Sequence, residues 1–292
     1  MCRLFGLSSA PSRIRATFWL VEAPDSLERQ GRANPDGSGI GVFTREGTPV
    51  THRRPVSAWQ DRAFALEARE LESATFVAHV RFASTGGLTE ANTHPFEQGG
   101  RLFAHNGVVG GLDLLEARLT ELDPALGLLV HGQTDSERFF ALVTGEIARH
   151  HGDVGAGITA AAQWAADQLP VYCLNLVLTT ADGMWALRYP DTHELHVLDR
   201  RAGGHRNEPL EHRDTRHRLR ARSGALANTP CVVVASERMD DDPGWRLMQP
   251  GELVHVATGP ALSSTVALPA PPAHLLAVDD LHPRAAASQN AR

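Results

Sequence analysis

The chain has 292 residues, 42% hydrophobic and 21% charged, with a formal net charge of −6, a composition that supports a sizeable core in one large or two small domains. It gives no electrostatic drive toward nucleic acid, no apolar run near the roughly 18 residues of a membrane span, and no basic-then-apolar leader at the N-terminus. A soluble, cytoplasmic protein without nucleic-acid or membrane partners is therefore predicted. All 28 basic residues are arginine, which excludes lysine Schiff-base chemistry and a lysine-bearing phosphate loop.

In chain order, Met1 and Cys2 open a strand-like run, CRLFGLSS, followed by strand patterns at 38 to 43 (SGIGVF), 75 to 82 (TFVAHVRF) and 101 to 107 (RLFAHNG). Helical spacing follows at Leu112 to Leu122, at Asp135 to His150 and in an alanine-rich stretch from Ile158 to Leu169. The second of these helices starts at a capping box, Thr134 with Glu137, and carries an apolar stripe through Phe139, Phe140, Leu142 and Val143. Strands return at 173 to 180, 184 to 189 and 194 to 199, spaced as a meander, and again at 231 to 236 and 252 to 257. Strands, then helices, then strands predict an α+β layered domain. Eight arginines and three histidines between Arg200 and Arg222 read as a solvated loop or an anion-facing surface. From Gly259 the alanine- and proline-rich sequence is expected to form a loosely held tail, which sets the expected domain at 2–258 and the tail at 259–292.

Three cysteines, at 2, 173 and 231, are too scattered for a disulfide framework or a metal site, and the fifteen histidines show no HExxH-like spacing. No metal and no cofactor are predicted. Cys173 and Cys231 sit in apolar strand runs, as packing thiols do. Cys2 differs, because removal of Met1 would give it a free α-amine roughly 3 Å from its thiol, so nucleophile and base come on one residue. Asn106 and Gly107 end a strand and offer an amide NH₂ and an unobstructed backbone N–H, the donors an oxyanion needs, although Asn-Gly is also a turn signal. Arg81, at a strand end before Ser84, Thr85, Gly86 and Gly87, suits bidentate capture of a carboxylate. Asp135 suits an ammonium, or simply the positive end of its helix. Together these groups outline an α-amino acid with a reactive side-chain carbonyl, such as glutamine or another γ-glutamyl amide.

The stretches MCRLFG, HVRFASTGG (79 to 87), NTHPF (92 to 96), AHNG (104 to 107) and TDSE (134 to 137) resemble, in order and spacing, the class II glutamine amidotransferases. VVVASERMDDDPGW (232 to 245) resembles their stand-alone bacterial members. The resemblance implies a four-layer αββα N-terminal-nucleophile (Ntn) hydrolase sandwich of mainly antiparallel sheets. It also implies Cys2 as nucleophile, its α-amine as base, Asn106 and Gly107 as oxyanion hole, and Arg81, Asp135, Ser84 and Thr85 on the substrate. Asp36, His94, Ser236 and Glu237 match family positions as well. Two departures stand out. Ser84, Thr85 and Gly86 replace the Thr-His-Gly of larger synthases, and Ser38 stands where an aromatic is frequent. After about residue 258 only the tail remains, so two enzyme readings compete: ammonia supply to a separate synthase subunit, or outright hydrolysis of a γ-glutamyl amide, as in ergothioneine- and glutathione-pathway relatives. A non-catalytic glutamine-binding module is the third.

Overall fold

The computed structural model describes residues 2–201, 210–213, 220–223 and 229–290. Alternating side chains along each strand sort the apolar residues into two sets, and this period of two builds the layers. With strands numbered in chain order, one sheet runs β13 (Trp245–Leu247), β9 (His196–Arg200), β12 (Cys231–Ala235), β1 (Arg3–Ser8), β4 (Thr75–Arg81), β2 (Gly37–Phe43) and β3 (Pro49–Arg54). The other runs β15 (Ala261–Val266), β14 (Glu252–Ala257), β8 (Met184–Leu187), β7 (Pro170–Thr179), β6 (Arg101–Val109) and β5 (Phe96–Gln98). All these pairings are antiparallel; the short β16 (His274–Leu275) adds parallel to the start of β7. Apart from the sheets, β10 (Leu210–Arg213) and β11 (Arg220–Ser223) pair with each other.

Phe5 and Leu7 of β1, Phe76, Ala78 and Val80 of β4, and Val233 of β12 face outward, under α1 (Leu27–Gln30), α2 (Arg62–Glu70) and a short π-helical turn at Phe18–Glu22. Phe103, Leu174, Leu176 and Leu178 face outward from the other sheet, under α3 (Leu112–Leu122), α4 (Asp135–Arg149) and α5 (Val154–Gln168). The intervening residues, Leu4, Val77, Ala104, Val177, Val232 and Val234, meet between the sheets. The result is the four-layer αββα sandwich. Each large apolar side chain buried this way contributes about 1.5–3 kcal/mol. Gly6 marks how close the sheets come: a Cβ there would lie 2.7 Å from Val177 Cγ1 and 2.8 Å from Met184 Sδ. No helix among the described residues is long and apolar enough to cross a membrane.

Three expectations change. The meander does not form, because β8 pairs with β14 while β9 joins the other sheet beside β12. Between them Arg188 turns inward and donates to the carbonyls of His193 and Met248, and Pro190 offers no N–H to prolong a ladder. The tail is not loose either. Residues 261–266 pair with β14, Ala273 N–H donates to Ala166 O, and α6 (Pro283–Asn290) packs on β7 through Ala285. Small apolar residues give little periodicity but seal well against a strand. The arginine and histidine cluster lies mostly outside the described residues; Arg200, at the end of β9, is 2% exposed rather than solvated.

Candidate functional site

The inter-sheet layer changes character at one end. Cys2 precedes Leu4 by two residues, His79 and Arg81 follow Val77 at the same interval, and Asn106 follows Ala104, so strand alternation carries all four onto the inner face. Cys2 is half-buried; its thiol donates to Phe82 O at 3.4 Å and accepts from Phe82 N–H at 3.2 Å. Burial pushes the thiol pKa up, against the opposing pull of that N–H, Arg81 and Arg3. In this surrounding the thiol keeps its proton at neutral pH until a base removes it.

The segment touching Cys2 is held firmly. Asp36 N–H donates to Arg81 O at 3.0 Å, and Asp36 Oδ2 accepts from Ala83 N–H at 2.7 Å. Arg81, 3% exposed, donates to Thr85 O at 2.6 Å and to Gly87 O at 3.1 Å, curling the glycine loop around its guanidinium. Thr85 Oγ1 in turn donates to Asp135 Oδ1 at 3.2 Å, while Val109 N–H donates to Asp135 Oδ2 at 2.9 Å. Thr134 caps α4 by accepting from Glu137 N–H at 3.2 Å. The Glu137 carboxylate closes the box differently from its usual form, accepting from Gly132 N–H at 2.6 Å. At the start of β1, Ser236 Oγ accepts from Leu4 N–H at 2.9 Å and Glu237 pairs with Arg3.

Of the residues singled out in the sequence, Cys2, Arg81, Ser84, Thr85, Gly107 and Asp135 line one pocket of about 20 Å³, room for about one water. Asn106 does not line it, yet its Nδ2 is buried without a hydrogen-bond partner, a costly state for a donor. Gly107 has a steric reason as well: a Cβ there would sit 1.8 Å from Cys173 O and 2.6 Å from His105 Nε2. Such a close backbone approach admits glycine only.

Two histidines complete the wall. His94, which matched a family position, is 4% exposed with neither ring nitrogen partnered, and its ring lies 4.2 Å from that of His79. Burial, then Arg81 and His105, hold His79 neutral with a pKa lowered to about 3. Sequence reasoning missed His105, which links Ser136 Oγ at 3.0 Å to Cys173 O at 3.2 Å. The carbonyl partner assigns the proton to Nε2 and leaves Nδ1 accepting from Ser136. Its signal was a polar residue on the outward face of a strand that otherwise carries Phe103 and Val109 there. Among the described residues, no group of three His, Cys, Asp or Glu side chains is placed to hold a metal ion.

The arrangement places a thiol, a guanidinium and a carboxylate around one small pocket, with a spare buried amide donor on the residue preceding Gly107, a set whose chemistry suits recognition of an amino acid and attack on its side-chain carbonyl. Along 266 residues the chain is 29% identical to the gamma-glutamyl-hercynylcysteine sulfoxide hydrolase of Mycobacterium tuberculosis, covering 88% of this chain and 93% of that protein. It is 31% identical over 159 residues to the glutamine–fructose-6-phosphate aminotransferase (isomerizing) of Idiomarina loihiensis, covering 54% of this chain. The chain spans only 25% of that aminotransferase's length. Its fold matches a glutamine aminotransferase class-II domain protein from Silicibacter pomeroyi (TM-score 0.58, 19% identity, 91% of this chain and 100% of that one). It also matches the glutamine phosphoribosylpyrophosphate amidotransferase of B. subtilis (TM-score 0.61, 16% identity, 92% and 50%). The sequence model of the family described as glutamine amidotransferases class-II matches residues 1–276, and the chain belongs to that family.

Proposed function

We propose that this protein hydrolyses the γ-amide of a γ-glutamyl compound through a thioester on Cys2, with glutamine as the simplest substrate. The observation that carries this reading is the gathering of Cys2, Arg81, Gly107 and Asp135 around one pocket, beside the unpaired donor of Asn106. After Met1 is removed, the α-amine of Cys2 takes the thiol proton and the sulfur adds to the γ-carbonyl. The oxyanion accepts from Asn106 Nδ2 and Gly107 N–H, Arg81 holds the α-carboxylate, and Asp135 holds the α-ammonium. Ser84 and Thr85 close the carboxylate side. On collapse the C–N bond breaks and the proton held by the α-amine passes to the leaving nitrogen. A water then gives a proton to the freed amine, attacks the thioester and releases glutamate, and the proton returns to the thiol.

Among relatives matched along nearly their whole length is one that is by name a gamma-glutamyl-hercynylcysteine sulfoxide hydrolase, whereas the aminotransferase is matched over a quarter of its own. Direct hydrolysis is therefore favoured over ammonia supply to a separate synthase subunit. Intact mass of the purified protein, turnover of glutamine and γ-glutamyl amides, and labelling by a glutamine-like electrophile test the reading together. Loss of Met1, ammonia or amine release, and a label on Cys2 support it. Retained Met1 in an active enzyme, or a label on Cys173, overturns it.

A further inference from the structure

The family match ends at residue 276, yet the chain continues into α6 and returns to the site. Leu281, Ala285 and Ala286 pack with Leu276 against Tyr172, Cys173 and Val108; Val108 and Cys173 are cross-strand partners next to Gly107. At the far end of α6, Gln289 Oε1 accepts from His193 Nε2–H at 2.6 Å. At its near end, Arg284 extends toward Asp36 with Nη2 3.5 Å from Oδ2, beyond good hydrogen-bond distance. That oxygen is already committed to Ala83 N–H at 2.7 Å.

Two guanidinium groups thus share the neighbourhood of one carboxylate. Burial lowers the pKa of Arg81, and the charge of Arg284 adds to the lowering while Asp36 opposes it, so the cations sense each other. The Arg284 side chain is 52% exposed, and among the described residues its guanidinium donates no hydrogen bond. Apart from its long ion pair with Asp36 at 3.5 Å, its donors are turned to neither backbone nor side chain among the described residues, and it sits near Ala83, adjacent to the Phe82 that touches the Cys2 sulfur. The glutamyl end of a substrate belongs to Arg81 and Asp135, inside the pocket. The group attached to the γ-nitrogen extends from the pocket beyond Cys2, and α6 packs against Val108 and Cys173 next to Gly107 while its Arg284 lies toward the Asp36 that holds Ala83 N–H.

We propose that Arg284 is a specificity-determining residue that recruits a carboxylate on the amine portion of the substrate, so that γ-glutamyl amino acids and peptides are preferred over glutamine. The inference rests on the γ-glutamyl amidase reading and names its substrate class. It is tested by kcat/KM for γ-glutamylglycine, neutral γ-glutamylmethylamide and glutamine, using wild type, Arg284→Gln, Arg284→Lys and Cys2→Ala. Wild type is expected to favour γ-glutamylglycine over γ-glutamylmethylamide by roughly tenfold, the scale of one charge-assisted contact. Arg284→Gln should erase that preference through KM and leave the two neutral amides within about twofold, since no group on them meets the guanidinium. Arg284→Lys, which keeps the charge without the planar fork, should retain part of it. If Arg284→Gln melts well below wild type, the salt dependence of the wild-type preference takes its place, and the preference should shrink between roughly 0.05 and 0.5 M ionic strength. Equal treatment of γ-glutamylglycine and the methylamide by wild type, or a parallel loss on all three substrates in a folded Arg284→Gln protein, overturns the proposal but leaves the amidase reading standing. Absence of Cys2-dependent turnover of every substrate overturns both.

Discussion

The middle and the end of the inter-sheet layer are built on the same strands and the same face, but they hold opposite chemistry. In the middle, Leu4, Val77, Ala104 and Val177 meet with no polar atom among their side chains. Two residues further along the same strands stand Cys2, His79 and Asn106, and Arg81 two beyond His79, with the Asn106 amide donor and the neighbouring His94 ring nitrogens unpaired among the described residues. The middle supplies stability, and the end uses some of it to keep polar groups poised. Strand alternation delivers both, so the site inherits the rigidity of two packed sheets without depending on a mobile loop for its main groups.

Substitutions in the two regions should therefore separate activity from stability. The largest effect is expected for Cys2→Ala, which should abolish turnover while the melting temperature stays near wild type. Cys231→Ala, on the outward face where burial pushes the thiol to about 12, should keep its turnover. A Cys2→Ala protein that still turns over substrate would sink the nucleophile assignment. Next comes Asn106→Ala, expected to lower kcat by roughly 10²- to 10³-fold, the usual cost of one oxyanion donor. Because the Asn106 donor has no partner in the resting protein, the same change should leave stability unchanged or slightly raised. An unaltered kcat would remove Asn106 from the mechanism. In the middle, Gly6→Ala should do the reverse. Forced against Val177 and Met184, it should cost about 1–3 kcal/mol in urea unfolding, with per-molecule activity preserved below the transition.

The sequence carried much of this because the relevant rules are local. Apolar alternation marked β1, β2, β4 and β6, and the Thr134 cap with its stripe marked α4, whose structural bounds differ by a single residue from the expected helix. The candidate site residues were legible because Cys2, Arg81, Asn106 and Asp135 belong to chemistry-bearing types at strand and helix ends, and because the motifs around them resemble one family in order and spacing. Sheet membership was not legible: nothing in HELHVLD states that β9 leaves β8 for β12, since that choice depends on a partner more than 30 residues away. The role of the last segment was hidden for a related reason. Ala285 and Ala286 show no stripe, and their burial depends on Tyr172 and Cys173, which come from a different part of the chain. His105 was missed because its partners, Ser136 and the Cys173 carbonyl, converge only after α4 docks on β6.

The smallest effect concerns pH, and it also falls unevenly on the two regions. His79 has a folded pKa of about 3 and His193 one of about 4, each lowered chiefly by burial, against roughly 6.5 in an unfolded chain. The folded state keeps these rings neutral while the unfolded state takes up protons below that value, so their contribution is intact above about pH 6.5 and declines as the pH falls. Each ring should cost up to about 1.4 kcal/mol per pH unit within that window, His193 down to about 4 and His79 down to about 3. Between pH 7.5 and 5.5 the free energy of unfolding should fall, with measurable proton uptake on unfolding at the lower value. His193→Asn should flatten the slope by one ring's share. Hydrogen exchange would localise the loss: amides around His105 to Gly107, next to the histidine cluster, should open earlier at pH 5.5 than those of Val232 to Val234, whose inter-sheet neighbours are apolar. Equal acceleration along both stretches, or no proton uptake at pH 5.5, would mean that the buried rings do not set the acid limit of this fold.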